Sequence, residues 1–120
     1  VIGLAALAIL LAQPAHPAPL EQALEYVESR GNPMARNGVH RGLWQVNPRF
    51  ATPTVRKHPW LLHLPPVGRA EGRRALAYWQ HRCGGRLRCA LAAYNCGNAG
   101  VHGKCGRGYA AEVLRLARAP

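Results

Sequence analysis

The chain is 120 residues long, enough for one domain and too short for two. Apolar residues make up 48% and charged residues only 18%, which excludes a disordered chain and favours one packed core. Lys and Arg number 16 against 5 acids, for a formal charge of +11, and every acid is glutamate; without aspartate there is no Ser-His-Asp triad, no EF-hand and no Asp-based phosphoryl-transfer site.

Val1 to Ala12 is almost continuous Leu, Ala and Ile and runs into a Pro-rich tail, Gln13 to Pro19. At about 1.5 Å per residue it falls short of a ~30 Å hydrocarbon layer. Its length suits the h-region of a secretory signal, with small residues at Ala15 and Ala18 near a cleavage point. Residues 1–19 are therefore expected to be a signal peptide or, within a longer segment, a retained N-terminal anchor, and 20–120 the working domain. A buried core helix is a poorer fit, because prolines follow at once. The expected location is exported, periplasmic or extracellular.

Downstream, helical spacing dominates. Leu20, Ala23, Leu24 and Val27 recur at the helical period behind Pro19, which suits a first turn, and the pattern stops at Gly31-Asn32-Pro33. Asn37-Gly38 signals a turn, and the apolar run Leu43-Trp44-Gln45-Val46 ends at Asn47-Pro48. Between Pro48 and Pro66 prolines recur too often for a long helix, which predicts loop with short turns. Further helices are expected over about Gly68–Arg82, Leu87–Asn95 and Tyr109–Ala117, separated by Gly84-Gly85 and a glycine-rich loop from Gly97 to Gly108. No stretch alternates as a strand would, and no segment repeats. The expected class is all-α, or mainly α, in one small domain.

Cys83, Cys89, Cys96 and Cys105 are an even set in a small chain, as in exported proteins. Their spacing is not that of a zinc ribbon, and there is no H-E-x-x-H. If Cys89 and Cys96 share a helix they stand ~10 Å apart along it, beyond disulfide reach, which disfavours joining them. The local pairing Cys83–Cys89 with Cys96–Cys105 is preferred. Zinc held with His81 or His102, and four free buried thiols, are the alternatives.

Among the glutamates, Glu28 stands apart by position. At ~100° per residue the apolar stripe of the first helix centres near Leu20, Leu24 and Val27. Glu25 points well away from it, Glu21 is intermediate, and Glu28 lies nearest, about 40° from Leu24. Glu28 also occupies the last turn, where the helix dipole disfavours a carboxylate. Partial burial and the dipole both raise its pKa, as a general acid near neutral pH requires. On this helix alone, Glu21, Glu25 and Glu28 read better as one solvated i, i+4, i+7 face.

Four short motifs reverse that reading. Glu28-Ser29-Arg30-Gly31-Asn32-Pro33 resembles the E-S-x-x-N-P motif of soluble-type lytic transglycosylases, the goose-type-lysozyme-like SLT domain. Arg41-Gly42-Leu43-Trp44-Gln45-Val46-Asn47-Pro48 is similar to that family's G-L-M-Q-I-x-P segment, Ala90–Gly97 to its A-L-A-A-Y-N-A-G, and Tyr109 with Val113-Leu114 to its closing Y-V-x-x-V-L. The resemblance covers nearly everything from Leu20 to Leu116. It implies a small lysozyme-like fold that cuts peptidoglycan glycan strands without cofactor or metal.

Position by position, the resemblance makes Glu28 the sole catalytic carboxylate and Ser29 a residue that helps orient it. It places Gln45 on the glycan cleft, Tyr94 and Asn95 on the site wall, and Tyr109 in contact with Glu28. It implies a non-hydrolytic reaction in which Glu28 acts as acid and then as base, giving a 1,6-anhydro-MurNAc end. Such intramolecular attack needs no second carboxylate. The alternatives are a hydrolytic muramidase and a catalytically silent peptidoglycan-binding module.

The departures from the family pattern carry their own expectations. Trp44 stands where the family has Met and is expected in the core rather than stacked on a sugar. Cys96 replaces a small residue, and the four cysteines suggest a cross-linked subgroup with the Gly97–Gly108 loop tied beside the cleft. Thr52–Pro66 carries no motif. Trp60 and Trp79 are expected to pack, and His40, His58 and His63 to face solvent. Glu71 and Glu112 are expected to form surface ion pairs with Arg74 and Arg115. The spread-out basic surplus suits anionic wall polymers, nucleic acid or lipid headgroups, or is simple compositional bias. No helix-turn-helix, zinc-finger or RNP signature supports specific nucleic-acid binding. The expected partners of a monomer are glycan strands and an envelope-spanning secretion, conjugation or phage machine.

Overall fold

A computed structural model describes residues 18–118. The apolar leading segment read as a signal or anchor lies outside them, save for its last two residues. Helix α1 spans Pro19–Ser29, with the proline at its first position, where a missing N–H is no loss. Arg30 ends it in the left-handed region (φ 55°), its N–H returning to the Tyr26 carbonyl. The Ser29 hydroxyl ties off the last turn, donating to the Glu25 carbonyl at 3.1 Å and accepting from the Gly31 N–H at 3.2 Å.

The chain then makes a small element that the sequence pattern did not disclose. Strands β1 (Arg36–Asn37) and β2 (His40–Arg41) pair antiparallel, with Asn37 opposite His40. Gly38 opens the two-residue turn at φ 59°, as such hairpins favour. Two residues per strand are too few to leave an alternating signature. Past β2, Gly42 (φ 81°) lies so close to the Leu62 carbonyl that a Cβ would sit 2.1 Å from its oxygen.

The prolines between 48 and 66 forbid one long helix but open four helical turns. These are 3-10 turns at Pro48–Phe50 and Pro59–His63, helix α2 at Pro53–Lys57, and helix α3 at Pro65–Arg82. Helix α3 therefore starts three residues before the expected Gly68, because Pro65 and Pro66 both fit a first turn. Helix α4 is Leu87–Cys96 and α6 is Arg107–Arg118. The glycine-rich loop between them holds a further short helix, α5 (Asn98–Val101).

Helix α4 is the centre of the packing, lying against α3, α5 and α6, while α6 also carries α1. Leu24, Leu61, Leu62, Leu91 and Val113 are fully buried around it, as is Trp44. Disulfides Cys83–Cys89 and Cys96–Cys105 staple both ends of α4, the local pairing. With all four thiols oxidised, the zinc and free-thiol alternatives have no ligands or groups left.

Several surface expectations are corrected. Glu71 is buried, not a surface ion pair: it accepts the Thr52 N–H (2.9 Å) and hydroxyl (2.7 Å), with Arg74 as counter-ion. Glu25 is half-buried rather than pointing away, because Arg69 and Trp44 reach it from outside its own helix. Trp60 is 53% exposed rather than packed. His63 is half-buried, with Nδ1 3.0 Å from the Pro33 carbonyl. Glu112 and Arg115 do form an exposed ion pair.

The closest approach to a side chain is at Gly72 on α3, where a Cβ would sit 2.4 Å from the Trp44 ring. Gly72→Ala should therefore lose about 1–3 kcal/mol by overpacking. Gly108→Ala, in open space near the start of α6, should match or slightly exceed wild-type stability. Urea titration of the two variants checks both.

Candidate active site

Helix α1 delivers Glu28 in its last turn, and α6, packed against it, delivers Tyr109 three residues into its first. The Tyr109 hydroxyl donates to Glu28 Oε2 at 2.5 Å. The pair lines a cavity of about 330 Å³ that also includes Asn37, His40, Gln45, Tyr94 and Asn95. Helices α1, α4 and α6, the hairpin and the Gly42–Val46 turn thus converge on one carboxylate.

Each other glutamate has an arginine: Glu21 with Arg73, Glu25 with Arg69, Glu71 with Arg74, Glu112 with Arg115. Among the described residues, which include all five acids, Glu28 has no such partner. Burial pushes its pKa up to about 7, against the smaller opposing pull of the Tyr109 hydrogen bond. The neighbouring phenols move the same way. Burial first, and the Glu28 charge second, raise Tyr94 and Tyr109 well above the ordinary phenol range, so both remain O–H donors.

Tyr94 is not a direct partner of the carboxylate. Its hydroxyl donates to the Trp44 carbonyl at 2.6 Å, and its ring meets the Trp44 indole edge-on, with centroids 6.5 Å apart. Gln45 sits at φ 51°, unusual for a side chain with a Cβ. Its amide N–H₂ is spent on the Ala35 and Gly42 carbonyls, at 3.0 and 2.9 Å. That leaves Oε1 as the atom of Gln45 that can meet a ligand in the cavity. The strained backbone is retained because these two bonds pin the turn.

Of the residues singled out by sequence, Glu28, Gln45, Tyr94, Asn95 and Tyr109 are brought together around this cavity. Ser29 is next to Glu28 in sequence, but its hydroxyl bonds to backbone at the end of α1 rather than to the Glu28 carboxylate. Asn37 and His40, cross-strand partners in the hairpin, line the cavity unanticipated. The Asn37-Gly38 turn between the first two motifs was the available clue. Among the described residues no cluster of three or more His, Cys, Asp or Glu could hold a metal, and no helix is long and apolar enough to cross a membrane.

A second, larger groove of about 940 Å³ continues from the first and shares His40, Gln45, Tyr94 and Asn95 with it. Cys96 lies on its edge, so the Cys96–Cys105 disulfide ties the α5 loop beside it.

The family model described as Transglycosylase SLT domain matches residues 9–113. That span holds the first three motifs whole and the fourth as far as Val113. No curated protein and no solved structure matches the chain.

The raised pKa of Glu28 ties stability to pH. The folded state binds its proton up to about pH 7 and the unfolded chain only to about 4.5, so this contribution is whole below pH 4.5 and lost as pH rises through 7. Glu28→Gln lacks the term. Wild-type stability relative to Glu28→Gln should therefore fall by about 2–3 kcal/mol between pH 4 and pH 8, as read by denaturant titration at each pH. A difference that does not vary with pH would contradict it.

Proposed function

The chain belongs to the transglycosylase SLT domain family, and we propose that it cleaves the MurNAc–GlcNAc bond of peptidoglycan as a lytic transglycosylase. Peptidoglycan cleavage of this general type, outside the cytoplasm, is what the family supports. The finer reading is carried by one observation: among the described residues, Glu28 is the only carboxylate lining its cavity and the only glutamate without an arginine.

A two-carboxylate glycosidase needs a partner acid within roughly 5–9.5 Å, to attack the sugar or to activate water. Here a single group serves twice. Tyr109 occupies Oε2 as a donor, so the carboxyl proton sits on Oε1, poised for the glycosidic oxygen. As that oxygen takes the proton, its bond to MurNAc C1 breaks, and the substrate's own N-acetyl group stabilises the developing cation. The Glu28 carboxylate then takes the proton of the C6 hydroxyl while that oxygen closes on C1. The product is a 1,6-anhydro end, no water is consumed, and Glu28 finishes protonated as it began. A pKa near 7 favours both transfers, since neither direction is steeply uphill.

Gln45 and Asn95 line the cavity and would orient the sugars there, and Tyr94 walls it against the Trp44 turn. The disulfides suit an exported, periplasmic or extracellular protein.

Purified peptidoglycan digested by the oxidised chain should yield anhydro-muropeptides by mass spectrometry, and Glu28→Gln should be slower by at least about 100-fold. Reducing-end products instead would make the enzyme a muramidase. Sacculi bound without products would make it a binding module, and equal release by both proteins would remove Glu28 from the chemistry. Activity should decline above about pH 7, where Glu28 loses its proton. Because the Tyr109 hydrogen bond holds that pKa down, Tyr109→Phe should move the alkaline limb of kcat/KM to higher pH. A limb that stays put or moves down would contradict the geometry.

A further inference from the structure

The larger groove has a charge pattern that a neutral glycan does not call for. Three arginines, Arg49, Arg56 and Arg74, line it together with the exposed rings of Phe50 and Tyr78. Its one carboxylate, Glu71, is buried and already satisfied by the Thr52 N–H, the Thr52 hydroxyl and Arg74. Arg74 is itself engaged, donating also to the Phe50 carbonyl. Arg49 and Arg56 are exposed and form no ion pair among the described residues. The groove therefore presents two uncompensated guanidinium groups beside apolar rings.

We propose that this groove receives the acidic stem peptide of a MurNAc residue next to the cut, with Arg49 and Arg56 binding its carboxylates. The inference rests on the transglycosylase reading above. Every MurNAc lactyl group can carry a peptide, and the peptide, unlike the sugar rings, offers free carboxylates. A strand seated with its scissile bond at Glu28 must place such a peptide nearby, and the groove opens directly from the Glu28 cavity through Gln45, Tyr94 and Asn95. Guanidinium is the group best matched to carboxylate, by paired N–H donors. Phe50 and Tyr78 suit the aliphatic parts of the peptide.

The backbone that carries the arginines is also held in place. Arg49 stands on the Pro48–Phe50 turn and Arg56 on α2, and the Thr52–Glu71 bonds lock the segment between them onto α3. The buried glutamate is thus a positioning residue for the groove. The backbone is ordered before binding, and the two arginine side chains are what remains to be ordered.

The test compares glycan strands bearing their stem peptides with the same strands after carbodiimide coupling to ammonia has turned the peptide carboxylates into neutral amides, using the full oxidised chain. Wild type should prefer the strands with free peptide carboxylates through a lower KM, and the preference should weaken as NaCl is raised. Arg49→Ala/Arg56→Ala should reduce the kcat/KM ratio between the two substrates by about 10-fold. Arg49→Lys/Arg56→Lys should retain most of it, and Arg88→Ala/Lys104→Ala, which removes two cations outside the groove, should retain all of it. A wild-type ratio near one, a ratio indifferent to salt, or an equal fall in the Arg88/Lys104 control would overturn the proposal. Wild type releasing no more product than Glu28→Gln on either substrate would sink the transglycosylase reading itself, a separate failure.

Discussion

Trp44 is fully buried where the family pattern has a methionine, and much of the architecture follows from accommodating it. A thioether has no donor to satisfy; a buried indole N–H does. That N–H finds Glu25 Oε1 at 3.1 Å, which draws a carboxylate of α1 inward, and the carboxylate in turn takes both arms of Arg69 on α3 at 2.8 and 3.1 Å. The ring lies over Gly72, the one residue type that lets α3 come so close. The Trp44 carbonyl accepts the Tyr94 hydroxyl, fixing α4 as the far wall of the cavity. One buried ring thus sets the relation of α1, α3 and α4, and the position of Glu28 follows from that relation.

Glu28 is held in a balance that none of the other glutamates shares. Burial disfavours its charge, and no cation among the described residues pairs with it; a single tyrosine hydroxyl gives part of that back. The outcome near pH 7 suits a group that must both give and take a proton. The same low-polarity setting keeps Tyr94 and Tyr109 protonated, so Tyr109 donates its hydrogen bond to the carboxylate without adding charge. Disulfides at both ends of α4 act on the wall rather than on the acid. They fix the helix that carries Tyr94 and Asn95, and one of them trims the neighbouring groove.

How much of this was legible in the sequence depended on how local its cause was. Helices α1, α4 and α6 follow from apolar spacing and from glycine stops, which act within a few residues. The convergence of Glu28, Gln45, Tyr94, Asn95 and Tyr109 was legible only through motif resemblance, since nothing local relates α1 to α6. A helical wheel put Glu25 in solvent because it sees one helix, and the arginine that buries Glu25 comes from 44 residues away. Glu71 was misread for a like reason: Arg74 is a helical neighbour, but the Thr52 bonds that define its role arrive from a segment with no motif. The prolines were read as breakers when their fixed φ also starts helices, so α2 and the first turn of α3 were read as loop.

The account stands on Glu28 holding a proton near neutrality, and this can be measured without substrate. A carboxyl-carbon NMR titration of the oxidised protein, with Glu28 assigned by comparison with Glu28→Gln, reads its pKa directly. The structure predicts a value of about 7. A Glu28 that titrates near 4.5 would contradict it, and with it the case for one carboxylate acting as both acid and base.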